Sequence, residues 1–335
     1  MAWYHAASPG IVLLLFALVM PGLGYLLKGE RQRWLPSVAL AGLLISGFLT
    51  LNLAGMDMLG GMGIGGFEIN GSQAYFGGLL VMDSFSLLFS LVFLAVSIMV
   101  VMASAFYLRD RENAPEYYSL ILLATLGMMM VAAAGDLIIL FLGLELAGLS
   151  TYVLVGFDKL SKLSTEAAMK YFIIGAFSSA VMLFGISLLY GVAGTTNINE
   201  LATALVTGDF DSMVMVGLVM MIVGLGFKVA AVPFHMWVPD VYEGAPGPIT
   251  ALLAAGSKKM GFAALFKIFL VSAIAFRADI GLMFGILAVI TMTFGNIAAL
   301  RQDNLKRMLA YSSIAHAGYI LMALAIGTQD ALAGG

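Results

Sequence analysis

Long apolar runs separated by short polar stretches fill this sequence from one end to the other. Most runs are about 20 residues long, the length that an α-helix needs to cross roughly 30 Å of hydrocarbon. The loops between them are too short to hold a soluble domain. The pattern predicts an all-α, polytopic membrane protein. We predict ten spans, at residues 9–27, 36–56, 78–106, 117–135, 137–157, 168–192, 213–236, 247–272, 279–300 and 307–327.

The composition agrees with a membrane location and limits the chemistry. Hydrophobic residues make up 61% of the 335 positions and charged residues only 10%, whereas soluble domains are about 25% charged. The absence of cysteine excludes disulfides and thiolate-ligated iron–sulfur clusters. The three histidines, His5, His235 and His316, are too scattered to indicate a metal site. We therefore expect no metal or cofactor in this chain.

The basic residues are distributed unevenly among the loops. The loops after spans 1, 3, 5 and 9 hold ten of the sixteen, whereas the loops after spans 2, 4, 6 and 8 hold only Arg277. Cytoplasmic loops carry an excess of lysine and arginine. We therefore expect a multi-pass protein of the cytoplasmic membrane of a prokaryote, with its N-terminus outside.

The connector 57–78 is rich in glycine. It contains Gly61-Met-Gly63-Ile-Gly65-Gly66, which formally matches the G-x-G-x-x-G pattern of dinucleotide sites. The pattern lacks the preceding strand, the following helix and the acidic partner that such a site needs. We interpret this segment as a flexible connector.

Two ionisable residues lie deep in predicted spans. Glu145 is in the middle of the fifth span, and Lys228 is near the end of the seventh, five residues before Pro233. A charge at such depth costs about 3 kcal/mol or more, and these residues mark proton or ion pathways by default. We interpret them as a proton-handling pair in which Glu145 supplies the anion. A neutral carboxyl and a static Glu–Lys pair are the alternatives.

The segment after Lys228 is dense in proline, with four of the chain's eight prolines between Pro233 and Pro248. Because proline breaks helices, the pattern predicts a discontinuous seventh helix. Membrane transporters build ion sites from interrupted helices of this kind. His235 could relay protons here or lie passively at the interface, and His316 belongs to a polar tenth span that suggests a hydrated lining.

Further lysines within the spans extend the predicted path. Lys258 and Lys259 point about 100° apart on the eighth helix, so both cannot line one path. Lys267 either continues this path or reaches the membrane surface. Lys170 lies four residues after Glu166, so a solvated ion pair is the alternative to a role in proton transfer.

Four stretches of the sequence match one known family. They are Asp136-Leu-Ile-Ile-Leu-Phe-Leu-Gly-Leu-Glu145, Glu166-Ala-Ala-Met-Lys170, Gly226-Phe-Lys228-Val-Ala-Ala-Val-Pro-Phe-His235-Met-Trp-Val-Pro-Asp240 and Asp303-Asn-Leu-Lys306-Arg-Met-Leu-Ala-Tyr-Ser-Ser-Ile-Ala-His316. On these motifs, over about residues 80–327, the chain resembles the antiporter-like subunits of respiratory complex I, most closely the subunit N type of NADH-quinone oxidoreductase.

The resemblance implies an antiporter-like fold of fourteen helices with two inverted five-helix repeats, each containing one broken helix. It divides this chain into three N-terminal helices (1–110), the first repeat (111–275) and the start of the second repeat (276–335). The chain would then stop about where an eleventh helix begins, without the second broken helix and its lysine. We interpret it as a truncated sequence, with a half-built channel as the alternative.

The resemblance also implies roles for individual residues. Glu145 resembles the family's fifth-helix glutamate, and Lys228 resembles the lysine of the first broken helix. Lys258 matches the eighth-helix lysine that passes the proton toward the centre, although Ser257 stands where the family usually has proline, and the next lysine competes for the role. Lys306 falls at the start of the tenth helix.

The favoured hypothesis is a proton-translocating, non-redox subunit of an NADH:quinone oxidoreductase. A signal from a quinone site elsewhere would separate Glu145 from Lys228, whose proton would move toward Lys258. NADH or a deazaflavin, flavin, iron–sulfur clusters and quinone are expected in other membrane and peripheral subunits. Lipid and protons are further expected partners, and nucleic acid is not. The alternatives are a subunit of a multi-subunit Na⁺/H⁺ antiporter, and a membrane subunit of an energy-converting hydrogenase or a deazaflavin-dependent dehydrogenase.

Overall fold

The computed structural model describes residues 3–27, 33–54, 73–108, 113–207, 212–269 and 277–327. Several sequence predictions lie outside these ranges. They concern the glycine-rich motif Gly61–Gly66, the basic loop residues Lys28, Arg31, Arg109 and Arg111, and the C-terminal segment 328–335.

The described residues are almost entirely helical. The helices are α1 (Trp3–Leu26), α2 (Leu35–Leu53), α3 (Ser84–Tyr107), α4 (Ala114–Ala133), α5 (Leu137–Val155), α6 (Lys162–Ala193), α7 (Ile198–Thr207), α8 (Ser212–Val229), α9 (Val238–Gly244), α10 (Gly247–Leu252), α11 (Lys258–Lys267), α12 (Arg277–Ala299) and α13 (Leu305–Ile326). A π-helical turn, Leu253–Ser257, joins α10 to α11, and strands β1 (Gln73–Tyr75) and β2 (Leu80–Met82) form an antiparallel hairpin.

Within the described ranges, ten helical segments are long and apolar enough to cross a membrane. They are α1 to α6, α8, the continuous segment from α10 to α11, α12 and α13, so the predicted all-α polytopic fold is confirmed. The third span begins at Ser84, later than predicted, because the carboxylate of Asp83 accepts the Ser86 N–H at 2.7 Å and caps the helix.

The chain divides into two compact units. The first, Met1–Phe157 with Gly247–Ser257, contains α1 to α5, the hairpin, α10 and the π-helical turn. The second, Asp158–Pro246 with Lys258–Gly335, contains α6 to α9 and α11 to α13. The division at residues 110 and 275 follows the implied repeats of the family and stays a prediction.

In the first unit, α4 and α5 pack through small residues. A Cβ atom on Gly127 would lie 2.6 Å from the backbone nitrogen of Ala147, and one on Gly143 would lie 2.9 Å from the carbonyl oxygen of Gly127. Small residues allow helix backbones to approach this closely in membranes. The turn before α5 is capped by Asp136, whose carboxylate accepts the Ile138 N–H at 2.7 Å. Helix α5 runs without interruption from this cap to Val155, and Glu145 lies in its middle.

In the second unit, α8 lies closely along α6. A Cβ atom on Gly185 would be 2.8 Å from the carbonyl oxygen of Gly217, and the Ser178 hydroxyl donates to the carbonyl oxygen of Gly224 at 3.1 Å. These contacts hold α8 against α6 as far as Gly224, five residues before α8 ends. They therefore fix the position of α8 close to the interruption of the seventh span.

Candidate functional site

The seventh span is discontinuous, as predicted. Helix α8 ends at Val229, and α9 begins only at Val238. Directly after α8, Ala230 has a φ of +63°. This left-handed conformation costs residues other than glycine about 1–2 kcal/mol. Backbone strain of this kind persists where surrounding structure enforces it, and it clusters at functional sites.

Two side chains bind backbone groups at the interruption. The indole Nε1 of Trp237 donates to the carbonyl oxygen of Phe227 at 3.0 Å, and the Val232 N–H donates to the hydroxyl of Thr291 at 3.0 Å. Thr291 is fully buried on α12. Because an unsatisfied backbone group in a bilayer costs several kcal/mol, these bonds make the interruption tolerable at membrane depth.

Lys228 lies one residue before the end of α8 and is only 4% exposed. Its Nζ is 5.7 Å from the centroid of the Phe227 ring. Helix α11 packs directly against it, because a Cβ atom on Gly261 would be 3.0 Å from the Cβ of Lys228. The C-terminal end of a helix carries partial negative charge and favours a nearby cation. Lys228 is therefore a buried lysine at a helix end, beside the interruption.

Lys258 is the first residue of α11 and follows the π-helical turn in the chain. Such turns occur frequently at functional sites. Its Nζ donates to the carbonyl oxygen of Ser313 at 3.1 Å and to the hydroxyl of the same residue, and it lies 5.9 Å from the centroid of the Tyr242 ring. Lys258 is buried, whereas Lys259 is half-buried. The sequence indicated that the tenth span is polar, but it did not indicate that Ser313 accepts hydrogen bonds from Lys258.

Charged side chains from α6, α9 and α13 meet around α9, in a group termed the α9 cluster. The Nζ of Lys170 lies 2.7 Å from carboxylate oxygens of both Glu166 and Asp240. The Nη1 of Arg307 lies 2.7 Å from Asp240 and 3.0 Å from Glu243. The i,i+4 pair of Glu166 and Lys170 was one of two interpretations of Lys170 from the sequence, whereas the central role of Asp240 was not predicted.

Asp240 is bonded to cations on two different helices. Helix α9 lies outside the ten candidate spans, and the Asp240 side chain is 31% exposed. Burial raises the pKa of this carboxyl, but hydrogen bonds from Lys170 and Arg307 outweigh it and hold the pKa below its usual value. Asp240 is therefore a carboxylate at neutral pH that links α6 to α13 through α9.

Lys306 binds the C-terminal end of α9. Its Nζ donates to the carbonyl oxygens of Glu243 at 3.2 Å and Ala245 at 3.0 Å. A cation at this end satisfies carbonyl groups and complements the helix dipole. Asn304 adds a bond of 2.8 Å to the Glu243 carboxylate. Lys306 thus has a structural contact, and its predicted place on the proton path stays a prediction.

Three further predicted residues have different surroundings. His235 is buried, with its ring centroid 4.6 Å from that of Phe294. His316 is exposed, with its ring edge-on to Tyr319 at 5.4 Å. Lys267 is buried at the end of α11. Their roles in proton transfer stay predictions.

Glu145 is half-buried in the middle of α5. It belongs to the first unit, whereas Lys228 belongs to the second. The proposed pairing of these two residues stays a prediction.

The part of the chain that the structure describes has ten apolar helical segments and a buried lysine at an interrupted span, which are features of an antiporter-like membrane protein. Residues 134–334 match the family described as NADH:quinone oxidoreductase/Mrp antiporter, TM. The chain belongs to this family.

Individual relatives agree with this assignment. The chain is 46% identical over 330 residues to F(420)H(2) dehydrogenase subunit N of Methanosarcina mazei, covering 98% of this chain and 65% of the relative. It is 48% identical over 288 residues to NADH-quinone oxidoreductase subunit N of Trichlorobacter lovleyi, covering 84% and 59%. The chain therefore spans less than two thirds of the length of these two curated relatives.

A solved structure shows the same fold. A chain of respiratory complex I from Thermus thermophilus superimposes with a TM-score of 0.77 at 30% identity, covering 97% of this chain and 66% of that chain. The resemblance drawn from the four sequence motifs is thereby confirmed.

Proposed function

We propose that this chain translocates protons as a membrane subunit of a redox-driven complex of the complex I type. NADH or a deazaflavin, flavin, iron–sulfur clusters and quinone would belong to partner subunits, and this chain would hold no redox centre. The complex would lie in the cytoplasmic membrane of a prokaryote, with the N-terminus of this chain outside. The observation that carries the proposal is the burial of Lys228 at the interruption of the seventh span.

Each of three residues has a distinct part in the proposed transfer. Lys228 holds a proton at the interruption while the Glu145 carboxylate is near, and releases it when that carboxylate withdraws. Lys258 receives the proton, since it opens α11, the helix that packs against Lys228. Its bonds to Ser313 then direct its ammonium group toward α13.

The energies involved are of matching size. Moving one charge against 100 mV costs about 2.3 kcal/mol. A change of two units in the pKa of one lysine corresponds to about 2.7 kcal/mol. A two-unit change in the pKa of Lys228 on withdrawal of the carboxylate would therefore be comparable to the cost of moving one proton against 100 mV.

A test compares Lys228→Met with Lys159→Met in the assembled complex, reconstituted into vesicles. Methionine cannot carry a proton, so donor-driven proton uptake should fall by about tenfold or more in Lys228→Met, as for other proton-transfer groups. Lys159 is an exposed loop lysine, so the same substitution there should leave uptake unchanged. Unchanged uptake and electron transfer in Lys228→Met would refute the proposal.

The second candidate is a subunit of a multi-subunit Na⁺/H⁺ antiporter. The family description supports it as well, because it names Mrp antiporters beside NADH:quinone oxidoreductase. Native gels of mildly solubilised membranes, stained for NADH or deazaflavin dehydrogenase activity, separate the two. A large stained band that contains this chain supports the redox complex and identifies its donor. Sodium-dependent proton flux without any electron donor supports the antiporter.

A further inference from the structure

The α9 cluster holds one short helix from two sides. Asp240 accepts from Lys170 on α6 and from Arg307 on α13, each at 2.7 Å. Glu243, one turn further along α9, accepts from Arg307 at 3.0 Å. Exposed ion pairs contribute little individually, but one carboxylate shared between cations on two helices restricts how α9 can move relative to both. The cluster therefore sets the position of α9 within its unit.

Helix α9 is in turn bonded to the residue before Lys228. Trp237 immediately precedes α9, and its indole Nε1 donates to the carbonyl oxygen of Phe227. The Trp237 ring also stacks on Tyr171 at 4.5 Å, with an interplanar angle of 17°. Tyr171 follows Lys170 in α6. These two residues therefore contact Trp237 through a ring stack and Asp240 of α9 through an ion pair. The start of α9 is therefore connected to the end of α8 through one hydrogen bond.

We propose that Asp240 is a positioning residue for Lys228, acting through Trp237 on the carbonyl group of Phe227. The inference rests on the proposed function, because Lys228 must handle a proton for its position to matter. Asp240 itself neither receives nor passes on the transported proton. It fixes the distance between α9 and the end of α8, and with it the surroundings of the Lys228 ammonium group.

The test uses the assembled complex in vesicles, with four single variants, one double variant and Lys228→Met. Asp240→Asn removes the charge at constant size, Asp240→Glu retains it, and Trp237→Phe cuts the link at its other end. Asp279→Asn is the matched control, because it makes the same kind of change at an exposed aspartate outside the α9 cluster. Donor-driven proton uptake per assembled complex is measured as a function of pH.

We expect Asp240→Asn and Trp237→Phe to lower uptake several-fold and to move its pH profile in the same direction. Asp240→Glu should restore most of the uptake, and Asp279→Asn should match the unaltered protein. The double variant Asp240→Asn/Trp237→Phe should be no worse than the more damaging single variant, because both changes break one link.

Two results would overturn the inference. In one, Asp240→Asn lowers only the amount of assembled complex, while each assembled complex keeps the original rate and pH profile. In the other, the double variant shows the sum of two independent losses. Lys228→Met separates this failure from failure of the proposed function: if Lys228→Met also leaves uptake unchanged, the proposed function is wrong, and the inference falls with it.

Discussion

Helices α5 and α8 both carry a buried or half-buried ionisable residue, but they accommodate it differently. Helix α5 runs unbroken from Leu137 to Val155 and packs on α4 through glycine. Helix α8 stops at Val229, directly after Lys228, and the chain resumes as α9. The carboxylate therefore belongs to a continuous helix and the lysine to an interrupted one.

The difference lies in the partners available to the backbone. At the interruption, the side chains of Trp237 and Thr291 form hydrogen bonds with backbone groups. The ion pairs of the α9 cluster hold the following helix, α9, in place. Helix α5 has no break, and the side chains that bond its backbone, such as Asp136 and Thr151, belong to the helix or to its cap. An interruption in a membrane helix thus depends on specific donors and acceptors from neighbouring elements. The three predictions that follow test this dependence by breaking α5 or by removing a bond at the interruption after α8.

The largest effect is expected when a break is introduced into α5. Leu142→Pro should lower the free energy of unfolding by about 3 kcal/mol or more, because proline removes a helix hydrogen bond and clashes with the preceding turn. Leu142 is 49% exposed, so Leu142→Ala is the control, and it should change stability little. Thermal unfolding of the purified protein in mild detergent would measure both. A Leu142→Pro variant as stable as Leu142→Ala would show that α5 also tolerates interruption.

A smaller effect is expected when one partner of the existing break is removed. Trp237→Phe keeps an aromatic ring against Tyr171 but deletes the donor to the Phe227 carbonyl group, at a cost of about 2 kcal/mol. Trp34 is 67% exposed, so Trp34→Phe is the matched substitution without a buried bond. The same unfolding measurement applies, and equal losses in the two variants would mean that the indole donor has no special part.

Sequence reasoning predicted the architecture and the interruption well, for physical reasons. Membrane spans produce long apolar runs, and prolines after Lys228 disrupt a helix wherever the chain folds. The partners of the interruption were not predictable in the same way. Thr291 is separated from Val232 by 59 positions, and nothing in its local sequence distinguishes it from any threonine in an apolar helix.

The α9 cluster illustrates the same limit. The pair of Glu166 and Lys170 was visible because residues four apart share a helix face. Asp240 bonds residues 70 positions before it and 67 positions after it, so only the packing of three helices brings them together. Sequence spacing thus predicts contacts within an element, whereas contacts between elements require the fold.

The smallest effect is expected at the second partner of the break. Thr291→Val keeps the shape of the side chain but removes the hydroxyl that accepts the Val232 N–H, and it should cost about 1 kcal/mol of unfolding free energy. Thr291→Ser retains the hydroxyl and should recover most of this loss. If Thr291→Ser were as destabilised as Thr291→Val, the methyl group rather than the hydrogen bond would be responsible. The interruption would then depend on packing around α12 more than on a bonded backbone.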